Sequence, residues 1–331
     1  MKPLLAAIAT ALGLSWGPSA PAATAGDGRE VYRLFLDGGF DTIWSQMTPE
    51  MRAALGSVRA LSDVQADVLT RYGAEADLLT ETTRPQGAHT VYLRTARWTT
   101  APVPIQFIVT FTAKNRIAGL YVGEQLTPAD SRFLDYQTKT SLRLPVEGEW
   151  YVYWGGRDII DNYHAIDHGQ RFAMDLIVME NGASHAGDPT RLTSYHCWNR
   201  PILAPADGTV VSTVTDAPDQ PIGSTDPDNP AGNHVWIDFG NSEYGLFAHF
   251  RQGSVAVTPG ERVTIGTELG RCGNSGNTSE PHLHFHLQTT PELGQGEGLP
   301  AFFVDYMADG QPVTRGEPKR GQTIRPMPAD Q

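Results

Sequence analysis

Five consecutive residues alternate histidine with apolar side chains: His282, Leu283, His284, Phe285 and His286. A period of two is typical of a β-strand, because successive side chains of a strand point to opposite faces. With a rise of about 3.3 Å per residue, side chains two positions apart lie about 6.7 Å from each other on one face. The segment therefore predicts a strand whose imidazoles share a face, close enough for two of them to enter one cavity.

The rest of the second half reads as short strands separated by turns. From Leu142 onward the chain is rich in glycine, proline and aromatic residues. The segments 234–239 and 244–249 flank residues 240–243, an arrangement typical of a β-hairpin. These patterns predict a mostly antiparallel β domain. The prolines among the last twenty residues predict an extended tail against its surface.

The first half has a different pattern, in which helices precede strands. Thr48-Pro49 is typical of a helix start, since threonine caps the helix and proline suits its first turn. Apolar residues at spacings of three and four predict an amphipathic helix over residues 58–72, which Gly73 can end. Apolar residues then alternate over residues 105–111, which predicts a strand and, with the helices, an α+β domain.

Two short motifs frame this α+β half. It opens with a Phe-x-x-Gly-Gly-Phe segment at residues 35–40 and closes with Arg-Ile-Ala-Gly-Leu at residues 116–120. With helices first and a curved sheet second, it resembles the small cone-shaped domains of the nuclear transport factor 2-like superfamily, which often serve as binding or packing modules. His89 is its only histidine, and we expect it at the surface.

The amino terminus has the three parts of a secretory signal peptide. Lys2 precedes an apolar run over residues 4–16, and Ala-Thr-Ala at residues 23–25 forms an A-x-A cleavage site before Gly26. The run is shorter than the roughly 20 residues that a membrane-spanning helix needs. We therefore expect export to the periplasm or the medium without stable membrane insertion.

Charge and cysteine content agree with an exported protein that does not bind nucleic acid. The net charge of −12 disfavours nucleic acid, because phosphate binding relies on an excess of lysine and arginine. Two cysteines occur, Cys197 and Cys272. In an oxidising compartment such a pair often bonds, so we expect a disulfide, with two buried thiols as the alternative.

Two further segments supply residue types that bind metals. Residues 162–168 contain His164 and His168 and precede Asp175, whereas His249 ends a predicted strand. Two histidines, one aspartate and an open position for water are a standard catalytic zinc arrangement. The sequence therefore predicts one catalytic zinc ion, with additional histidines available for proton transfer.

Residues 275–285, Ser-Gly-Asn-Thr-Ser-Glu-Pro-His-Leu-His-Phe, resemble the signature of the lysostaphin-type zinc endopeptidases, which cut cell-wall peptidoglycan. Supporting landmarks follow the family's order at residues 204–208, 247–249, 259–263 and 270–276. The resemblance extends over roughly residues 140–310. It implies a zinc metalloendopeptidase with a duplicated-hybrid-like β fold and a peptide of peptidoglycan as its substrate.

Carried over by position, the family's three metal ligands correspond to His164, Asp175 and His284. Its two other active-site histidines correspond to His249 and His282. The family's usual first ligand stands four residues before the aspartate, where this chain has Arg171. The candidates are His164, eleven residues before Asp175, and His168, seven residues before it. We favour His164 because residues 162–164 resemble a long-loop subgroup.

The resemblance leaves a second interpretation open. Relatives that lost their ligands act as non-enzymatic regulators of cell-wall hydrolases, and a peptidoglycan-binding protein on the same fold is a further possibility. The complete ligand set favours the enzyme. The expected organisation is a signal peptide (1–25), an α+β domain (26–123), a linker (124–137), a zinc peptidase domain (138–310) and a C-terminal tail (311–331).

Overall fold

The computed structural model describes residues 23–86 and 89–328, so most of the predicted signal peptide lies outside the described residues. The chain divides into two compact units, one ending at Leu126 and the other beginning at Thr127. In the part of the chain that the structure describes, no helix combines the length and apolar character needed to cross a membrane.

The first unit consists of helices followed by an antiparallel sheet, as the sequence predicts. Its helices are α1 (Ala25–Asp37), α2 (Phe40–Gln46), α3 (Pro49–Leu55) and α4 (Val58–Tyr72). Its strands are β1 (Glu75–Gln86), β2 (His89–Trp98), β3 (Ile105–Thr112) and β4 (Ile117–Glu124), hydrogen-bonded in that order. The α+β order is confirmed, whereas the similarity to nuclear transport factor 2-like domains stays a prediction.

Local signals set the helix ends. The Thr48 hydroxyl accepts a hydrogen bond from the Met51 amide at the start of α3, and Gly73 ends α4 with a positive φ of 75°. Glycine takes this conformation without steric cost. The helices and the sheet share a core in which Phe35 and Val109 are fully buried.

His89 is not at the surface, contrary to the expectation. Only 9% of it is exposed. It pairs with Gln86 of β1 on one side and with Thr112 of β3 on the other. A residue on an inner strand of a sheet that packs against helices is covered, and one sequence segment does not reveal this.

Apart from two short 3-10 turns, the regular secondary structure described in the second unit consists of antiparallel strands, which confirms the β prediction. The described strands are β5 (Trp150–Trp154), β6 (Met174–Ile177), β7 (Pro201–Leu203), β8 (Gly208–Val214), β9 (Asn233–Asp238), β10 (Tyr244–Phe250), β11 (Arg262–Val263), β12 (Glu268–Arg271), β13 (Leu283–Gln288), β14 (Gly298–Leu299), β15 (Phe303–Ala308), β16 (Gln311–Gly316) and β17 (Thr323–Pro326). The main sheet has the order β11-β8-β9-β10-β13-β6-β5-β17-β15-β16, with β14 beside β13, while β7 pairs with β12.

Strands β10, β13 and β6 lie side by side in the middle of this sheet. Phe285 of β13 is fully buried, and its ring packs against Phe247 of β10 and Phe303 of β15 at centroid distances of 5.0 and 5.7 Å. The alternation therefore has the predicted outcome, since the apolar residues fill the core and the histidines share the opposite face.

The prediction that the last twenty residues form an extended tail on the surface is wrong. Residues 311–326 contain two strands, and β17 lies between β5 and β15 with Ile324 fully buried. The prolines are compatible with this because Pro312 lies on β16, the outermost strand of the sheet, and Pro326 ends β17.

Most of the expected linker belongs to the second unit. The Ala129 amide donates to the Ala165 carbonyl, and the Tyr136 hydroxyl donates to the carboxylate of Glu243, which is fully buried. These contacts attach residues 129–136 to loops of the second unit. The structure also joins Cys197 and Cys272 in the predicted disulfide.

Candidate metal and catalytic site

Two neighbouring strands place a carboxylate opposite an imidazole. Asp175 of β6 is the direct cross-strand partner of His284 on β13. Their side chains meet on one face, with His284 Nδ1 2.9 Å from Asp175 Oδ1. Both residues are about 5% exposed. The register of an antiparallel pair therefore brings together residues that are 109 positions apart.

His164 reaches the same carboxylate from a loop. It lies in a short 3-10 turn, Tyr163–Ile166, and its Nε2 is 3.0 Å from Asp175 Oδ2. The loop is closed at its base by Asn162, whose side-chain amide donates to the carbonyls of Gly156 and Ala173 while its oxygen accepts from the His164 amide. The buried Asn162 thus returns the inserted segment to β6.

The three side chains suit a zinc ion. One ligand atom from each of His164, Asp175 and His284 lies within 4.8 Å of the other two, and all three residues are buried. Two imidazoles and one carboxylate are a donor set of catalytic zinc sites. His168, the alternative first ligand, is mostly exposed and directs Nδ1 to the Asp130 carbonyl at 3.1 Å. The structure therefore groups His164, and not His168, with Asp175.

Asp175 is ionised in this setting. Burial on its own raises the pKa of a carboxyl group, because it disfavours the charged form. Electrostatic attraction to the neighbouring imidazoles of His164 and His282, together with hydrogen bonds from His164 and His284, outweighs burial, so the pKa of Asp175 lies well below its ordinary value. A carboxylate that keeps its charge is ready to bind a cation.

His249 is aimed at this group by a backbone irregularity. It is the extra residue of a β-bulge between β9 and β10, and its φ is 66°, in the left-handed region that non-glycine residues rarely occupy. The His249 carbonyl accepts from the Gly273 amide, and its amide donates to the Ala231 carbonyl. Such strain is typical of functional positions.

His249 and His282 face each other with ring centroids 4.6 Å apart. Nδ1 of His249 lies 2.8 Å from the Ser275 carbonyl, and Nδ1 of His282 lies 2.9 Å from the Glu280 carbonyl. A carbonyl oxygen only accepts, so Nδ1 of each ring donates, and Nε2 of the neutral ring is left without a proton. Burial and the nearby His282 and His284 lower the pKa of His249 well below its ordinary value, which keeps it neutral.

The sequence did not reveal two features around this group. Tyr163, 41% exposed, stacks on the His164 ring with centroids 3.9 Å apart. With Ile166 and Asp167 it borders an open pocket of about 360 Å³ beside His164. Gln288 follows His284 and His286 on the same face of β13 and is fully buried. The period-two spacing of residues 284, 286 and 288 is the signal that could have indicated Gln288.

Comparison with known proteins supports a peptidase. Residues 194–296 match the model of peptidase family M23. The match includes His249, His282 and His284, whereas His164 and Asp175 precede it. The tertiary structure therefore completes a site of which the matched segment contains only a part.

Individual similarities are limited in extent. The chain is 32% identical over 88 residues to the peptidoglycan DD-endopeptidase ShyA of Vibrio cholerae, covering 26% of this chain and 17% of that protein. The catalytic domain of lysostaphin from Staphylococcus simulans shares 17% identity over 46% of this chain and 88% of that one, with a TM-score of 0.27. A point mutant of the catalytic domain of the prophage-encoded M23 protein EnpA from Enterococcus faecalis shares 20% identity over 40% and 84%, also with a TM-score of 0.27. TM-scores of this size do not establish a common fold.

Proposed function

We propose that the protein is an exported zinc metalloendopeptidase that hydrolyses peptide bonds in peptidoglycan. The observation that carries the proposal is the buried group of His164, Asp175 and His284, with the bare Nε2 atoms of His249 and His282 beside it. The M23 match and the similarity to ShyA, a peptidoglycan DD-endopeptidase, support the reaction and the substrate class.

His164, Asp175 and His284 would hold the ion. Zinc bound by two imidazoles and a carboxylate polarises a peptide carbonyl and lowers the pKa of a water molecule to about 7. The protein supplies the geometry, because Asp175 contacts both imidazoles through its two oxygens. Nearly complete burial of the three residues keeps solvent away from them.

His249 and His282 would move protons. Each ring is oriented by a backbone carbonyl at Nδ1 and leaves Nε2 free to accept a proton from the attacking water. The same nitrogen can return the proton to the leaving amine, and general acid–base catalysis of this kind contributes about 10²–10⁴-fold to the rate. The 4.6 Å separation of the two rings lets both act at one reacting centre.

Two observations support the location and the substrate. The Cys197–Cys272 disulfide agrees with the oxidising compartment that the predicted signal peptide implies. The open pocket beside His164, bordered by Tyr163 and Ile166, offers an apolar wall for a peptide that approaches the site. Both large side chains are exposed there, at 41% and 50%.

The test is digestion of purified peptidoglycan sacculi with mass analysis of the released fragments, together with the zinc content by plasma emission. We expect one zinc per chain and the release of peptide-cleaved fragments by the wild type. The Asp175→Ala variant should lose both, and the matched control His168→Ala should keep both. Zinc-free wild-type protein that leaves sacculi intact would instead support the non-enzymatic regulator or binding protein.

A further inference from the structure

Three side chains on one face of β13 form a continuous hydrogen-bonded chain. His284 Nε2 lies 2.9 Å from His286 Nδ1, and His286 Nε2 lies 3.3 Å from Gln288 Oε1. The exposed fractions of the three residues are 5%, 1% and 0%. The chain leads from the group around Asp175 into the protein interior, away from the rings of His249 and His282.

Backbone carbonyls at the inner end of this hydrogen-bonded chain determine which atoms along it donate and which accept. Gln288 Nε2 lies 2.5 Å from the Thr290 carbonyl and 2.8 Å from the Glu292 carbonyl. Because carbonyl oxygens only accept, both contacts require the amide nitrogen at this position, and Oε1 must therefore face His286. Gly296 leaves room for the amide, since a Cβ at that position would lie 2.8 Å from Gln288 Nε2.

The donor and acceptor roles of Gln288 and His286 then determine the role of His284 Nε2. Gln288 Oε1 can only accept, so His286 donates through Nε2 and, as a neutral ring, accepts through Nδ1. His284 must donate to that Nδ1 through its own Nε2. Its Nδ1 faces Asp175 Oδ1 at 2.9 Å, where it donates in the zinc-free protein, and it is the nitrogen that a metal would take.

We propose that His286 and Gln288 are positioning residues that hold the proton of His284 on Nε2 and thereby reserve Nδ1 for the metal. The proposal rests on the proposed function for the identity of the ion, but the proton position belongs to the protein alone. A carboxylate at position 286 would accept a proton from His284 without help. The imidazole of His286 accepts that proton only when its own proton is on Nε2, on the side away from His284. Gln288 Oε1 accepts the Nε2 proton and so leaves Nδ1 of His286 free to accept.

Three variants separate the hydrogen-bond chain from simple packing. His286→Phe fills the space and removes the acceptor for His284. His286→Asn places an amide oxygen near the position of Nδ1 and can restore that acceptor. Trp236→Phe is the matched control, because Trp236 packs against the His286 ring at a centroid distance of 5.7 Å without taking part in the chain.

Zinc affinity is measured by chelator competition, and the proton position of His284 by ¹⁵N NMR of zinc-free protein. We expect a proton on Nε2 of His284 in the wild type and its loss from Nε2 in His286→Phe. Removing such an outer partner weakens metal binding by about 10–100-fold, so His286→Phe should show that loss, and His286→Asn and Trp236→Phe changes of less than about fivefold.

Nε2 of His284 without a proton in the zinc-free wild type would overturn the proposal. So would unchanged zinc affinity in His286→Phe, or equal losses in His286→Phe and His286→Asn accompanied by equal losses of thermal stability, which a purely structural role predicts. These outcomes are independent of hydrolysis. Wild-type protein that cleaves no peptidoglycan would refute the proposed function and leave the proton position of His284 as measured.

Discussion

Asp175 and His284 face each other across adjacent antiparallel strands, with Oδ1 and Nδ1 2.9 Å apart. The other carboxylate oxygen of Asp175 lies 3.0 Å from His164 Nε2. A single carboxylate therefore joins an imidazole on a strand to an imidazole on a loop. The position of the carboxylate depends on the strand register, and any slip of β6 relative to β13 by one residue would turn it to the opposite face.

We expect His164→Ala to abolish zinc binding and activity, whereas His168→Ala should leave both near the wild-type level. His164 contacts the buried Asp175, while His168 is mostly exposed and contacts the Asp130 carbonyl. Plasma emission and sacculus digestion on both variants provide the measurement. Zinc loss from His168→Ala alone would show that the loop rearranges and that the first ligand is His168.

His249→Ala and His282→Ala should retain about one zinc per chain and lose most of the hydrolytic rate, on the order of 10²–10⁴-fold. Neither residue belongs to the group of three that can hold the ion. His284→Ala is the comparison, because it stands two residues from His282 on the same strand face and should lose zinc as well. If His282→Ala loses zinc and His284→Ala keeps it, the assigned roles are reversed.

Glu280 should make the protein less stable as the pH rises. Burial raises its pKa from 4.5 to about 7, against a hydrogen bond from Ser184 that lowers it. Between these two pKa values the folded state binds more protons than the unfolded state. The unfolding free energy therefore falls by about 3 kcal/mol as the pH rises through this range, and it levels off above it. Burial and the charge of Glu280 raise the pKa values of Tyr153 and Tyr195 further above that of an ordinary tyrosine, so neither titrates in this range.

The measurement for Glu280 is urea unfolding of the wild type and Glu280→Gln between about pH 4 and pH 8. All other titratable groups are common to the two proteins, so the difference between the two curves isolates Glu280. We expect the wild type to lose stability relative to the variant as the pH rises. Parallel curves would show that the carboxyl group has an ordinary pKa.

Reduction of the Cys197–Cys272 disulfide should destabilise the second unit. The two residues are 75 positions apart, and in the chain-entropy model closing such a loop contributes up to about 4 kcal/mol. Urea unfolding with and without reductant tests this, with the Cys197→Ala/Cys272→Ala double variant as the control that reductant must not affect. Wild-type stability that does not change on reduction would show that the bond contributes little.

Opening this disulfide should also lower activity. Cys272 pairs with Phe250 on β10, and the next residue, Gly273, pairs with His282. The Gly273 amide also donates to the His249 carbonyl. We expect the double variant to lose rate at temperatures where it stays folded, while zinc content is kept. The disturbed segment contacts the histidines proposed to transfer protons and not the proposed metal ligands. Equal loss of zinc and rate would contradict this assignment.

Local patterns predicted the elements that carry the site. The alternation over residues 282–286 predicted β13 and the shared face of its histidines, and the hairpin pattern predicted β9 and β10. Both depend on the period of two that strand geometry imposes on any chain. The start of α3 at Pro49 and the end of α4 before Gly73 follow equally local rules for caps.

The tertiary structure alone decided how these elements meet. Spacing did not distinguish His164 from His168, because closure of the loop depends on Asn162 reaching the carbonyls of Gly156 and Ala173. The membership of β17 in the sheet and the burial of His89 likewise depend on pairing with strands far away in the chain. A residue's own neighbours determine its local conformation and the chemistry of its side chain, whereas register, loop closure and burial are set by contacts between segments that the chain separates by tens of residues.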